Sequence, residues 1–441
     1  MRNTPQSPRP ASICLEPLFP VLLLTLVAAL AALPARAHEG DTLRFEPVQP
    51  AESEAMDDAE GGAKPSRSHR EREWLQDPFH QHLLSDIHRE RLDTRRWSNW
   101  DVALDYNRVD DLRFGLTSQA QADLAFAPRL AVRLEYATGR ERWLYGAQLE
   151  QPVDRANRFA LGVAMSRATD HLDLNQVEDF ENSLALLFGR QDYRDYFERE
   201  GVNAYAAARW PAVTTLSAHI RSDRYRSLKA LDVDSWFHRD RTLRTNPPIA
   251  DGDIHAFAIR LEQHARRAGG FYHWIELEHA GDGLGGDFHY RRALADLRSV
   301  VRLSPAMAIT LRAVGGSGLS GALPPQRTFT IGGVDGLRGH SFGAYRGDQV
   351  ALGQAEYAIG FGEWGRSKHV DFEGLHAIVF VDAGSAWSNP DHDWDPGRQH
   401  YALDGGFGLG TDEDNLRIYF AKDLRDPDSD FVISARLRRP F

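Results

Sequence analysis

The protein has 441 residues, of which 42% are hydrophobic and 26% are charged, and its formal net charge at pH 7 is −11. The mean hydropathy of −0.47 excludes a protein built from membrane-spanning helices. The acidic balance argues against a nucleic-acid-binding surface, because such a surface must attract phosphates.

The N-terminus has the features of a secretory signal peptide, which we predict over residues 1–37. Two arginines precede an apolar run at residues 18–33, which is short for a membrane-spanning helix. The segment Ala35-Arg36-Ala37 then supplies an A-x-A cleavage site. The only cysteine, Cys14, precedes the apolar run, so the exported chain needs no disulfide framework.

Two segments of different composition follow the signal peptide. Residues 38–66 are rich in Glu, Asp, Ser, Pro and Ala, and this composition predicts a disordered acidic segment. Residues 67–99 carry apolar side chains at three- and four-residue steps among Arg, Glu and His, which predicts a short amphipathic helix. This helix is either an ordinary surface helix or one that plugs or flanks the mouth of the next domain.

Residues 100–441 are predicted to form one domain of short strands. In the stretch 129–136, apolar and polar or small side chains alternate with a period of two, and the same alternation returns at 159–166 and 431–438. A soluble sandwich shows this alternation too. The polar face is often charged, however, and short joins alternate with long ones, as do the periplasmic turns and extracellular loops of a membrane barrel.

We therefore predict an all-β fold, an antiparallel transmembrane β-barrel of about sixteen strands. The predicted strands are 111–121, 129–138, 141–151, 158–168, 182–190, 200–209, 213–224, 252–264, 269–280, 287–302, 306–317, 348–362, 374–384, 400–411, 414–422 and 431–441. Counting from a periplasmic N-terminus puts turns at Thr138-Gly139, Trp210-Pro211, Ser304-Pro305 and Asp412-Glu413. It puts the long segments 225–251, 318–347 and 385–399 outside.

The stretch 329–353 contains seven glycines in 25 residues, which excludes a regular helix because each costs about 1 kcal/mol. Gly332, Gly333 and Gly339 mark positions where the backbone needs a positive φ or a close contact. Arg338 stands among these glycines. We therefore predict a loop that is folded against the rest of the domain.

Two carboxylates on neighbouring strands are candidate partners for this arginine. If the smaller aliphatic faces of the strands meet lipid, Glu356 and Asp382 point into the lumen, where an unpaired carboxylate is costly. The guanidinium of Arg338 offers a fork that matches a carboxylate. We predict an Arg338–Asp382 pair with Glu356 nearby. The alternative is that each carboxylate merely meets water, and a separation above about 6 Å from both would exclude the pair.

These motifs resemble the bacterial surface antigen superfamily of outer-membrane barrels, which includes assembly factors and two-partner-secretion transporters. The motifs are Gly332-Gly333, Leu337-Arg338-Gly339-His340, Gly347-Asp348, Phe380-Val381-Asp382-Ala383-Gly384 and the terminal Phe441. The resemblance implies an inward-folded extracellular loop whose arginine meets the acidic residue of the strand motif. His340 stands where the family more often has Phe or Tyr.

The resemblance also implies a C-terminal signal, formed by Phe441 and Leu437, that the barrel-assembly machinery reads. Arg439 departs from this signal, because an apolar residue is usual on that face. Residues 106–109 and 192–196 resemble the superfamily more weakly.

The function implied by the resemblance is the insertion of proteins into the outer membrane of a Gram-negative bacterium, or their translocation across it. A client strand would add to the seam between residues 111–121 and 431–441 by β-augmentation. The expected partners are outer-membrane lipid, the barrel-assembly machinery and an unfolded protein client. Only 62 residues, 38–99, precede the barrel, so we expect a member without polypeptide-transport-associated domains.

Two other functions stay open at this point. The first is a passive pore or structural barrel that has lost protein transport. The second is a surface enzyme such as a lipase, with a triad assembled in space, although the chain has no G-x-S-x-G, H-E-x-x-H or P-loop motif.

We expect neither a cofactor nor a metal ion. Residues 281–286 match G-x-G-x-x-G formally but lie between two predicted strands, so we interpret them as a turn. His80, His82 and His88 lack the cysteines or clustered carboxylates of a metal site.

Overall fold

The computed structural model describes residues 99–437, except for 122–125, 156, 175–176, 211–213, 239, 264–270, 305–306, 362–374, 390, 393 and 412–415. The predicted signal peptide, the acidic segment, Phe441 and all but the last residue of the predicted 67–99 helix lie outside the described residues. No described helix has the length and apolar character needed to cross a membrane.

Sixteen strands form one sheet in the described part of the chain, and each is antiparallel to its neighbours. They are β1 (Asn99–Asn107), β2 (Asp111–Gln121), β3 (Arg129–Ala137), β4 (Arg142–Pro152), β5 (Phe159–His171), β6 (Tyr196–Trp210), β7 (Thr214–Ser227), β8 (Gly252–Gln263), β9 (Phe271–Ala280), β10 (Tyr290–Ser304), β11 (Met307–Ser320), β14 (Gln349–Gly360), β15 (Leu375–Trp387), β16 (Ala402–Thr411), β17 (Arg417–Asp423) and β18 (Val432–Arg436). The sheet begins at β1 and ends at β18, so these are its edge strands.

Three further elements lie in the connections. Strands β12 (Phe329–Ile331) and β13 (Tyr345–Gly347) pair with each other between β11 and β14. Helix α1 (Asp179–Gly189) lies between β5 and β6. Short 3₁₀ turns occur at Pro325–Arg327 and Pro396–Arg398.

One face of the sheet buries many charged side chains, and the other face exposes large apolar ones. On β15, Val379 is 59% exposed and Val381 is 41% exposed. The residues that alternate with them, Phe380 and Asp382, are buried. The other strands expose Trp100, Val102, Leu104, Phe114, Leu116, Leu134, Leu161, Val163, Phe407, Leu409 and Ile433. This is the reverse of a soluble sandwich, whose strands pack their apolar side chains into a core. The arrangement favours an exposed face that meets lipid.

Two of the predicted elements are wrong. The strand predicted at 182–190 is part of α1, because a short apolar run such as Leu184–Phe188 has no clear period and its Leu and Ala residues favour a helix. Strand β1 is absent from the predicted strands, because the prediction has a helix over 67–99 and its first strand at 111–121. The first edge strand is therefore β1 and not 111–121.

The additional strand β1 also changes which turns and loops lie at the same end of the sheet. Thr138-Gly139 was predicted to be a turn at the end opposite the long segment 225–251. Instead, the N–H of Leu231 in that segment donates to Arg108 O at 2.7 Å, and the N–H of Gly139 donates to Asp110 O at 2.8 Å. The short joins after β1 and β3 thus lie with the long connections at one end, which we call the loop end.

Strand register places the candidate carboxylates together. Asp382 on β15 lies opposite Gln354 on β14 and Asp404 on β16. Glu356 on β14 lies opposite Phe380 on β15. The buried faces of three neighbouring strands therefore present a cluster of polar side chains to the connection between β11 and β14.

Candidate functional site

The connection between β11 and β14 turns sharply at its two adjacent glycines. Gly332 has φ +122° and Gly333 has φ +80°, which are backbone conformations that favour glycine. A Cβ atom on Gly332 would lie 2.4 Å from the carbonyl oxygen of Ser341. The N–H of Gly333 donates to Leu337 O at 3.0 Å and to His340 O at 3.1 Å. These contacts close residues 332–344 into a compact loop, which we call the arginine loop.

Arg338 is 2% exposed and reaches from the arginine loop to the sheet. Its Nε donates to Asp382 Oδ2 at 2.7 Å and its Nη2 donates to Asp382 Oδ1 at 2.6 Å, which is a bidentate charge-assisted pair. Its Nη1 donates to Glu356 Oε1. The structure thus brings the three residues Arg338, Asp382 and Glu356 into direct contact.

Two aromatic rings contact the same guanidinium. Its central carbon lies 3.7 Å from the ring centroid of Phe380 and 4.8 Å from that of Tyr419. A cation over an aromatic face gains electrostatic attraction, and this gain is larger when both groups are removed from water. Arg338 is therefore held by β14, β15 and β17 together.

Three further residues complete the contacts of the two carboxylates. Glu356 also accepts hydrogen bonds from Arg417 Nη1 at 2.9 Å and from the Tyr419 hydroxyl at 3.1 Å. Gln354 Nε2 donates to Asp382 Oδ1 at 3.2 Å and to Gly336 O at 2.8 Å. Sequence reasoning did not select Gln354, Arg417 or Tyr419, although each lies two residues from another buried polar or aromatic position on its strand.

The tip of the arginine loop contacts β16 through Gly339 and His340. The N–H of Gly339 donates to Asp404 Oδ2 at 2.6 Å, and a Cβ atom on Gly339 would lie 2.8 Å from Asp404 Cγ. Gly339 therefore serves close approach, since its φ is not among the positive values. The Nδ1 of His340 lies 2.9 Å from Asp404 Oδ1, and its Nε2 lies 3.5 Å from Asp423 Oδ2.

The three residues His340, Asp404 and Asp423 have ligand atoms within 4.8 Å of one another, which is a spacing that a metal ion could use. Each ring nitrogen of His340 already faces a carboxylate oxygen, and the Tyr345 hydroxyl lies 3.3 Å from Nε2. Hydrogen bonding within the protein accounts for the arrangement.

The arginine loop is also tied to β11 and β18. Arg312 Nη1 donates to the carbonyl oxygen of Asp335 at 2.9 Å, and Arg436 Nη1 lies 3.0 Å from Asp335 Oδ1. Arg312 is itself fixed by Asp296, whose buried carboxylate also binds Arg298. The loop therefore contacts strands from β11 to the last strand of the sheet.

A second cluster joins the loop end of β1 to the stem of the arginine loop. Arg108, in the turn after β1, lies 3.2 Å from Asp192 and 3.2 Å from Asp195. Arg346 on β13 lies 2.7 Å from Asp195. The sequence indicated residues 106–109 and 192–196 only as weak resemblances, and it contained no signal that would pair them. Leu437 follows β18 and is partly buried.

Residues 268–426 match the Omp85 superfamily domain. The matched stretch contains Arg338, Glu356 and Asp382 with the strands that hold them, and it confirms the resemblance drawn from the loop and strand motifs. The search of curated proteins finds no match to this chain.

Solved structures of two kinds are similar to the chain. BamA from Haemophilus ducreyi lacking POTRA domains 1–3 is 12% identical with a TM-score of 0.53, over 78% of this chain and 70% of that one. CdiB from Acinetobacter baumannii is 15% identical with a TM-score of 0.41, over 77% of this chain and 59% of that one. CdiB from Escherichia coli is 11% identical with a TM-score of 0.45, over 77% and 62%. The likeness to BamA shows a shared fold.

Proposed function

We propose that this Omp85 domain forms a closed sixteen-stranded barrel in the outer membrane of a Gram-negative bacterium. In that membrane it inserts proteins or moves them across. The family and the BamA-like fold support this assignment. The exposed apolar face and the buried charged face fit a barrel with lipid outside and a polar interior. Strand β1 and the C-terminal strand β18 would meet along the seam of the closed barrel.

The observation that carries the functional proposal is the arginine loop. A loop whose guanidinium is bound by two carboxylates and two aromatic rings braces β14, β15 and β17, and β17 is the neighbour of the last strand. A braced wall beside an edge strand allows that edge to open while the rest of the barrel keeps its shape. A client strand would then pair with the free edge by β-augmentation. No catalytic step is needed.

A passive pore is the less favoured function. A conducting barrel of the porin type keeps a polar, water-filled lumen. Here the arginine loop lies against strands from β11 to β17, and the side chains of Arg338, Asp382 and Glu356 are buried.

We propose that Arg338, Asp382 and Glu356 act as a loop lock, which means that they hold the arginine loop against the sheet. We propose that Leu437 and Phe441 form the signal by which the chain itself is assembled into the membrane.

Reconstitution tests the function. The purified protein in liposomes is expected to speed the insertion of an urea-unfolded outer-membrane barrel client, measured by protease protection and by the heat-sensitive gel shift of the folded client. Liposomes without protein and liposomes with a porin of similar size are the controls. Client insertion no faster than in the porin liposomes, accompanied by steady ion conductance, would support the passive pore instead.

The exposed face gives a separate prediction about lipid contact. Val379→Arg is expected to lower the free energy of unfolding by about 2–4 kcal/mol, because an arginine on the lipid face near mid-membrane is poorly solvated. Denaturant unfolding in lipid bilayers measures the change. Val153→Arg is the matched control, since Val153 is 54% exposed but lies in the turn after β4. Equal effects at the two positions would contradict a lipid-facing β15.

A further inference from the structure

Helix α1 packs against the first edge strand of the sheet and reaches the last one through a side chain. On the β1 side, Ser183 Oγ accepts a hydrogen bond from the Tyr106 backbone N–H at 2.8 Å. The same hydroxyl lies 2.8 Å from Asp105 Oδ1 and 2.7 Å from the carbonyl oxygen of Asp179 in the helix, and it can donate its one proton to either. A single helix side chain thus contacts the backbone and a side chain of the first strand.

The bonded N–H of Tyr106 belongs to the free edge of β1. Tyr106 lies opposite Leu112 on β2. The N–H of Leu112 donates to the Thr138 hydroxyl, and its carbonyl accepts from the Thr138 N–H, so both groups point towards β3. In an antiparallel pair the residue opposite then points its own N–H and C=O away from β2. Ser183 therefore occupies a position where a neighbouring strand would bond.

On the other side, α1 holds the last strand through Arg436. Glu181 Oε1 lies 2.7 Å from Arg436 Nε, and both side chains are buried. The Leu437 backbone lies against the same carboxylate. Arg436 also lies 3.0 Å from Asp335 of the arginine loop. Arg436 is therefore shared between α1 and the arginine loop.

The helix depends on these outside contacts. Its N-cap residue, Glu178, makes no side-chain capping bond, and the last turn carries no basic residue. Burial raises the pKa of Glu181 above its ordinary value, and the charge of Arg436 opposes that effect. A carboxylate that burial disfavours is held by Arg436 and the Leu437 backbone, and Arg436 has a second acceptor in Asp335. The contact with β18 can therefore be exchanged.

We propose that α1 is a latch that bridges β1 and β18 and restricts the separation of these two edge strands. Ser183 engages the free edge of β1, and Glu181 engages Arg436 of β18. When the latch releases, Arg436 keeps Asp335, so the arginine loop stays in place while the edge of β1 becomes available. This inference rests on the proposed function in one respect only: a client strand is the group that takes the place of α1 on the edge of β1.

Spin-label distances test the latch without any client. Labels on cysteines at Val102 of β1 and Ile433 of β18, both exposed, report the separation of the edge strands in nanodiscs. Cys14 is the only other cysteine and lies in the predicted signal peptide. In the Ser183→Ala/Glu181→Gln variant, the distance distribution is expected to broaden and to shift to longer values. Asp154→Asn, which removes an exposed ion pair in the turn after β4, is expected to leave the distribution unchanged.

A reversible cross-link gives the second measurement. Asp105→Cys with Ser183→Cys joins α1 to β1 when oxidised, and spontaneous current steps in planar bilayers are expected to become several-fold rarer until reductant is added. An unchanged distance distribution in the folded double variant, or equal current steps before and after reduction, would overturn the latch. Client insertion is then assayed separately. A working latch in a protein that inserts no client would overturn the proposed function and leave the latch standing.

Discussion

Replacement of Arg338 by alanine is expected to lower the free energy of unfolding by about 3–5 kcal/mol, because it leaves two buried carboxylates without their shared cation. Asp382 loses a bidentate partner, and Glu356 keeps only Arg417 and Tyr419. Denaturant unfolding in bilayers, followed by tryptophan fluorescence, measures the change. The same variant is expected to insert client several-fold more slowly, since the arginine loop loses its main anchor.

Two comparisons separate the charge effect from the loop effect. Arg158→Ala removes an exposed ion pair with Asp154 and is expected to cost at most about 1 kcal/mol. Adding Asp382→Asn and Glu356→Gln to the Arg338→Ala chain removes the uncompensated charges, so stability is expected to recover in part. In this triple variant, client insertion is expected to stay slow if insertion requires the loop to be anchored by Arg338. A loss below about 1 kcal/mol for Arg338→Ala would mean that water solvates both carboxylates well.

Substitution of Gly347 is expected to displace the stem of the arginine loop while every charge remains. Gly347 ends β13, and a Cβ atom there would lie 2.0 Å from the carbonyl oxygen of Trp387 at the end of β15. The backbone at Trp387 cannot move aside without disturbing its pairing with Gln349 on β14. Gly347→Ala is therefore expected to cost about 1–3 kcal/mol, the usual range for overpacking, and to slow client insertion.

The chain offers a matched control for this substitution on the neighbouring strand. A Cβ atom on Gly353 of β14 would meet only the Ala383 carbonyl oxygen, at 4.0 Å. Gly353→Ala is thus expected to preserve both stability and insertion within the precision of the measurements. If the two alanine variants behave alike, the close seating of β13 on β15 has no part in the function.

Local chemistry in the sequence was sufficient for most strands of the sheet and for the three residues at the centre of the site. Alternation along 374–384 separates Val379 and Val381 from Phe380 and Asp382, and the structure exposes the first pair and buries the second. That separation follows from the period of a strand, which depends on no distant residue. The glycines around Arg338 likewise indicated a folded loop, because positive φ and close approach are properties of single positions.

Tertiary structure decided which distant residues meet. Arg417, Tyr419 and Arg436 lie far along the chain from the arginine loop, and they reach it because the register of five antiparallel strands aligns their buried faces. No local pattern encodes a register that is set by pairing across the sheet. The sequence therefore supplied the candidate cation and the two carboxylates, and only the fold supplied the neighbours that complete their contacts.

The helix α1 shows the same division. A short apolar run with helix-forming residues fits a buried strand or a helix, so its period could not decide between them. In the structure, Ser183 and Glu181 of α1 have partners on β1 and β18, at opposite ends of the described sheet. What the sequence by itself determined are the properties that each residue carries locally. What the tertiary structure decided are the contacts between groups that the chain brings together from far apart.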